Sequence, residues 1–176
     1  AQQSATDSQV VKKSLQEKKT LENTSIIKNI SFSNIGPTVM SGRVADIDVN
    51  PNDPTEFYVG YASGGLWYTN NNGASFTPLL DNSPTQNVGD IAVDWNNRTI
   101  WVGTGEKNSS RSSYAGIGML KSNNQGKTWE HVGLSDSHHV SRIVINSENP
   151  VDVVVGVIGH LYTPNKERGV FKTIDG

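Results

Sequence analysis

Apolar positions in this chain come in short bursts, and most alternate with polar residues at every second place, the period of a half-buried β-strand. Three stretches share one plan: "DIDVNPNDPTEFYVGYA" (46–62), "DIAVDWNNRTIWVGTG" (90–105) and "RIVINSENPVDVVVGVI" (142–158). Each reads as a β-rich strand, a turn built from Asn, Pro or Asp, and a second strand. That second strand carries a Val-Gly pair, at Val59-Gly60, Val102-Gly103 and Val155-Gly156. A third strand follows in "GGLWYT", "GIGMLKS" and "GVFKT", while "FTPLL" and "EHVGL" supply a fourth. The N-terminal segment is different. "SQVVKKSLQEKKTLEN" is charged and lacks Gly and Pro, and Val11, Leu15 and Leu21 would form a loose stripe along one helix. A disordered leader accounts for the same composition. "NISFSNIGPTVMSGR" (29–43) then reads as a lead-in strand and loop.

Each third strand runs into a related polar motif. "TNNNGASF" (69–76) and "SNNQGKTW" (122–129) both read Ser/Thr-x-Asn-x-Gly-x-Ser/Thr-aromatic, and "TIDG" begins a third copy at Thr173. The three starts lie 53 and then 51 residues apart, and a fixed period in this range indicates a repeat architecture. Four short antiparallel strands per repeat are the sequence form of a β-propeller blade. The expected fold is therefore all-β: about three four-stranded blades over residues 31–176, an incomplete ring, behind a leader over residues 1–30 that is helical or disordered. A propeller usually needs at least four blades. The chain is accordingly expected to continue beyond Gly176, with the remainder of the same polypeptide as its first partner.

Within the motif every residue has a structural task. Asn71 and Asn124 would accept bonds from backbone N–H groups about two residues on, in Asx turns. Gly73 and Gly126 supply positive φ. Ser75 and Thr128 would start the outer strand, and Phe76 and Trp129 would pack between blades. Thr69, Ser122 and Thr173 open the motif, and Asp175 holds the Asn position in the third copy.

This pattern resembles the Asp-box, or bacterial neuraminidase, repeat of sialidases, sortilin-type receptors and two-propeller xyloglucanases, with Asn in place of the usual Asp in the two complete copies. The wider context, "IGPTVMSGRVADIDVNPNDPTEFYVGYASGGLWYTNNNGASFTPLLDN" and "GTGEKNSSRSSYAGIGMLKSNNQGKTWEHVGL", is similar to large exported bacterial proteins of the sortilin-like, glycosyl-hydrolase-annotated group. The resemblance runs from about Asn34 to Gly176. It implies a fold more than an activity, because enzymes and non-enzymes share the box.

Composition narrows the partners. A net charge of −2, with no Arg/Lys cluster interleaved with aromatics, argues against nucleic acid. No apolar run reaches the roughly 18 residues of a membrane span. The absence of cysteine excludes disulfides, Cys-ligated zinc and a thiol nucleophile. Ala1-Gln2-Gln3 looks like a mature end left by signal peptidase, which points to export to the cell surface, the periplasm or the medium. An arbitrary boundary would read the same way. No cofactor is expected.

Loop length locates candidate function. From Val59 to Thr69 is 10 residues, from Val102 to Ser122 is 20 and from Val155 to Thr173 is 18. The second and third blades thus carry extra loop, "EKNSSRSSYAG" and "GHLYTPNKERG", on the face opposite the boxes, and extra loop on a rigid scaffold is where binding residues tend to sit. Arg111, Tyr114, His160, Tyr162, Glu167 and Arg168 lie there. The inter-blade stretch "SDSHHVSR" adds His138, His139 and Arg142, and Arg43 and Asp90 hold equivalent strand starts near the central channel. Adjacent His138 and His139 on an extended segment would point to opposite faces, which argues against a shared metal, although His160 could complete one.

A glycoside hydrolase needs two carboxylates across a sugar. The chain resembles two-propeller xyloglucanases near "YASGGLW", where their pattern is Thr-Asp-x-Gly-Gly-x-Tyr. Aligned on Gly64-Gly65, the carboxylate falls on Ala62, which leaves Glu106 as the nearest substitute. Arg43, Arg111, Arg142 and Tyr114 match the residue types of a sialidase triad and nucleophile, without the Arg-Ile-Pro signature. The expected function is a propeller that binds a protein, peptide or glycan. The alternative is part of a glycoside hydrolase whose catalytic pair lies partly or wholly outside this segment.

Overall fold

The computed structural model describes residues 4–33, 42–108 and 113–176. The chain divides into two compact units, Ala1–Met40 and Ser41–Gly176. The first unit holds helix α1 (Ser8–Thr24), capped by the Asp7 side chain, which accepts from the Gln9 N–H at 2.7 Å. Of the two options for this segment, helix is the outcome, but none of its residues is buried. Its ion pairs, Lys13–Glu17 and Lys18–Glu22, are exposed and contribute little. The lead-in strand expected within 29–43 is absent from the described residues there. Residues 29–33 are irregular, and 34–41 lie outside the described residues.

The second unit is three antiparallel meanders. The first sheet orders β1 (Val44–Val49), β2 (Phe57–Tyr61), β3 (Gly65–Thr69) and β4 (Thr77–Pro78). The second repeats this with β5 (Val88–Asp94), β6 (Thr99–Thr104), β7 (Met119–Ser122) and β8 (Glu130–His131). The third has β9 (Val140–Ile145), β10 (Val153–Val157) and β11 (Gly169–Thr173). The fourth strands are shorter than "FTPLL" and "EHVGL" suggested, two residues each. In the first sheet Pro78 has no N–H to extend the ladder, and Leu80 turns into the core instead.

The middle sheet explains the near-continuous apolar run "IWVG". Ile100, Val102 and Leu120 face the first sheet, packing with Tyr58, Leu66, Leu80 and Val88. Trp101 and Met119, one residue out of phase, face the third, packing with Val140, Ile143, Val153 and Val155. Alternation therefore buries both faces of one strand. Each fully buried side chain such as Leu66 or Leu120 contributes roughly 1.5–3 kcal/mol.

The Val-Gly pairs gain a reason in this packing. A Cβ added at Gly103 would meet Val140 Cγ1 at 2.4 Å, and one at Gly60 would meet Val88 Cγ1 at 2.9 Å. The first residue of each following sheet, Val88 or Val140, is fully buried against a glycine. At Gly156 nothing comparable lies across among the described residues, and the nearest atom is Ser141 Oγ at 3.2 Å. Gly103→Ala is expected to cost about 1–3 kcal/mol through overpacking, and Gly60→Ala, whose Val88 contact is less close, a smaller amount. Chemical denaturation of the two variants checks the contrast.

Side chains also staple sheet to sheet. Asp46 and Asp48 of β1 accept from the Ile91 and Val93 N–H groups of β5 at 3.2 and 2.9 Å, and Asp48 takes Trp95 Nε1–H at 2.6 Å. Asp90 of β5 accepts from the Ile143 N–H of β9 at 2.7 Å. Asp46 and Asp90 each follow a register shift that begins at Val44 or Val88. Such bulges re-aim a side chain out of the ladder.

The polar turns are closed by their own side chains. Asn71 Oδ1 accepts from Thr69 Oγ1 at 2.9 Å and from the Ser75 N–H at 3.0 Å, and Asn71 Nδ2 donates to Ser75 Oγ at 2.8 Å. Ser122, Asn124 and Thr128 repeat the network at 3.0, 2.9 and 2.7 Å. Thr173 Oγ1 donates to Asp175 Oδ1 at 2.6 Å. The backbone donor thus lies four residues on rather than two, and Ser75 and Thr128 sit inside the turn rather than starting the outer strand. Gly73 and Gly126 adopt φ +80 and +82. Trp129 lies between the first two sheets, its Nε1–H donating to Leu79 O at 2.9 Å. Phe76 instead packs edge-on against Phe57 of its own sheet.

Candidate functional site

Because each sheet is a meander, the β2–β3, β6–β7 and β10–β11 loops and the links β4–β5 and β8–β9 all emerge at the end opposite the polar turns. Four of these segments are tied together by backbone bonds. The Gly105 N–H donates to Asn87 O (2.9 Å), the Gly116 N–H to His138 O (2.7 Å) and the Ile158 N–H to His139 O (2.9 Å).

Glu106 opens the long β6–β7 loop and is fully buried. Its Oε1 accepts from Arg43 Nε at 2.7 Å and also from Arg43 Nη2, while the Arg43 side chain is half exposed. Its Oε2, like Ser137 Oγ, has no hydrogen-bond partner among the described residues. A carboxylate that attacks or protonates a sugar must reach it. Glu106 has no exposed surface and already serves a guanidinium, so in this geometry its carboxylate is not presented to a sugar. Ala62, at the aligned carboxylate position, is likewise fully buried.

Asp90 is fully buried beneath this end. Besides the Ile143 N–H it receives Lys107 Nζ at 2.6 Å, with Arg142 Nη1 at 3.8 Å. Burial raises its pKa above the ordinary aspartate value, against the pull of the Lys107 and Ile143 hydrogen bonds. The structure thus places Asp90 in an inter-sheet staple, with the largely exposed Arg142 facing solvent beside it.

The two adjacent histidines are not on an extended segment. His138 takes φ +56 in a tight three-residue turn closed by the His139 N–H to Ser137 O at 2.6 Å, a rare and strained conformation for a residue with a side chain. His139 turns inward, buried, with Nδ1 2.9 Å from Glu106 O. The ring of His138 stacks on His160 with centroids 3.6 Å apart and planes 23° from parallel. Burial lowers the pKa of both His138 and His139, which favours neutral imidazoles at pH 7.

His160 lies 3.1 Å from Asp136 Oδ1 through Nε2 and 2.7 Å from Thr163 Oγ1 through Nδ1. Asn165 fastens the loop to the link: it accepts from the His160 N–H at 3.1 Å and donates to Asp136 O at 2.7 Å. Glu167 Oε2 accepts from the Asp136 N–H at 2.6 Å. One donor atom from each of Asp136, His138 and His160 lies within 4.8 Å of the others. Asp136, Thr163 and Asn165 were not singled out by sequence, since each reads as an ordinary loop residue until the two segments meet. Tyr114 and Tyr162 stand more than half exposed on the two long loops. Arg111 lies outside the described residues.

Solved structures resemble this arrangement. An ancestral GH74 enzyme shares 23% identity with a TM-score of 0.53, over 76% of this chain and 17% of its own. The GH74 xyloglucanase from Xanthomonas campestris shares 11% at 0.54, over 76% and 20%. YCF48 from Cyanidioschyzon merolae shares 15% at 0.51, over 80% and 39%. The chain therefore spans a fifth or less of the two GH74 enzymes and about two fifths of YCF48. No family model matches the sequence, and no curated protein does. At these identities the likeness concerns fold alone. The fold is a partial β-propeller. The sheets are its blades, unclosed as a ring. No helix among the described residues is long and apolar enough to cross a membrane.

Proposed function

We propose that this chain is the blade-bearing part of an exported Asp-box propeller whose long-loop end captures a protein, peptide or glycan. The observation that carries the reading is the convergence of three segments, the described residues of the β6–β7 loop (105–108 and 113–118), 134–139 and 158–168, into one braced surface. That surface displays Tyr114, Tyr162, His138 and Arg142 over a buried polar floor of Glu106, Asp90 and His139. Aromatic and cationic groups on a rigid base are what recognition of glycans and peptides uses. The side-chain-closed turns at the other end support the Asp-box assignment. The same reading assigns the exposed apolar residues of the third blade, Val144 and Val170, to a contact with further chain of the same polypeptide.

The test is capture by the full-length protein on an array of peptides and glycans that includes xyloglucan oligosaccharides. Tyr114→Ala and Tyr162→Ala are each expected to weaken capture about tenfold or more, some 1.4 kcal/mol, while Asn71→Ala at the opposite end leaves it unchanged. Equal capture by all three variants would remove the proposal.

A second reading, part of a glycoside hydrolase, draws on the GH74 enzymes among the similar structures. It requires both carboxylates to come from elsewhere in the polypeptide, because Glu106 is sealed against Arg43. Xyloglucan cleavage by the full-length protein that vanished in Glu106→Gln, with folding intact, would restore Glu106 as a reacting group.

A further inference from the structure

We propose that Asp136, His138 and His160 form a binding site for a transition-metal dication of the Zn2+ type. Two imidazoles and one carboxylate are the donor set that a borderline ion prefers, and three protein ligands leave a fourth position open. The donor atoms, one per residue, already lie within 4.8 Å of one another. Metal–nitrogen bonds of about 2.0–2.1 Å require them to draw closer still. Rotation of the His138 ring out of its stack on His160 supplies that movement.

Three features single this trio out from a chance meeting of polar side chains. First, His138 holds a positive-φ backbone that a residue with a Cβ rarely adopts, and this bend sets its ring over His160. Second, His160 has the outer-shell partner that metal-bound histidines need. Its Nδ1 meets the Thr163 hydroxyl at 2.7 Å, so Nδ1–H can donate there while the Nε2 lone pair turns to the ion. The exchange is balanced: without metal the Nε2–H donates to Asp136 and Nδ1 accepts from Thr163, and the hydroxyl rotates to serve either tautomer. Third, Asp136 is fixed at its backbone by Asn165 and Glu167, which keeps its carboxylate free to swing only locally. The ion would bridge the 134–139 link and the 158–168 loop. Its binding is measured with no protein or glycan ligand present, so it stands or falls independently of that reading.

The experiment is calorimetric titration of the full-length protein with Zn2+, together with visible absorption of the Co2+ form. One ion per chain is expected, with the absorption of a four-coordinate nitrogen- and oxygen-ligated site. Asp136→Asn, which preserves shape, and His138→Ala are each expected to lose tenfold or more in affinity, and Thr163→Val about tenfold through the outer shell. His131→Ala, at a histidine outside the trio, should bind as the parent does. Ca2+ should not compete, since its preference is for oxygen. Less than one ion bound, an unaltered affinity in Asp136→Asn, or an equal loss in His131→Ala overturns the site.

Discussion

Gly105→Ala is expected to be the most damaging single-methyl substitution in the candidate site, costing about 3–5 kcal/mol. Gly105 has φ +84, and a Cβ there would stand 1.7 Å from His138 O and 2.7 Å from the Gly116 nitrogen. Those two atoms are hydrogen-bonded to each other at 2.7 Å. No flexible side chain is available to yield. The backbone of the 134–139 link must shift, which breaks the Gly116 bond and loosens the neighbouring Ile158 N–H to His139 O. Two buried polar pairs lost, at roughly 1–3 kcal/mol for each group left unsatisfied, make up most of the cost. For a chain of this size the melting temperature should fall by roughly 10 °C. Gly133→Ala is the internal control. It shares the left-handed backbone, φ +121, but has nothing within 4 Å of the added carbon, so it reports conformational strain alone. Circular-dichroism melts that show equal losses for the two variants would mean that the seam gives way easily.

That seam marks the limit of what the sequence could disclose. The turns were legible because their chemistry is local: the Asn, Gly and hydroxyl residues that close each one lie within seven consecutive positions. The blade period followed from them. The Val-Gly pairs were visible as a pattern but not as a cause, because the Val88 and Val140 side chains that require a glycine belong to the next blade. Asp90 illustrates the same gap. A carboxylate on a strand near a channel suggests ligand binding, yet its partner is the Ile143 N–H, 53 residues away. His138 differs for another reason: alternation along an extended strand predicts opposed rings, and a strained turn takes the strand's place. The Asp136–His138–His160 grouping could not be anticipated from spacing alone, because it depends on the bend at His138 and on Asn165 joining two loops.

The second large effect is expected at the Arg43–Glu106 pair, and it separates a structural carboxylate from a reacting one. Arg43→Ala leaves the Glu106 carboxylate buried, with Oε2 already lacking a partner among the described residues and Oε1 now losing its cation. Removing one member of a buried pair costs about 3–5 kcal/mol, and the half-exposed guanidinium places this case near the lower end. Glu106→Gln should cost less, since a neutral amide in the same volume requires no counter-charge. The double variant Arg43→Ala/Glu106→Gln is then expected to recover a substantial part of the loss, giving a coupling energy of roughly 1–2 kcal/mol in a double-mutant cycle. Urea unfolding of the four proteins measures it. Additive losses would show that the two groups act separately and that Arg43 stabilises the chain through other contacts. Recovery in the double variant would show why the loop needs a carboxylate at this position. It anchors Arg43, on the first blade, to the β6–β7 loop of the second, and the surface carrying Tyr114 is built on that anchor.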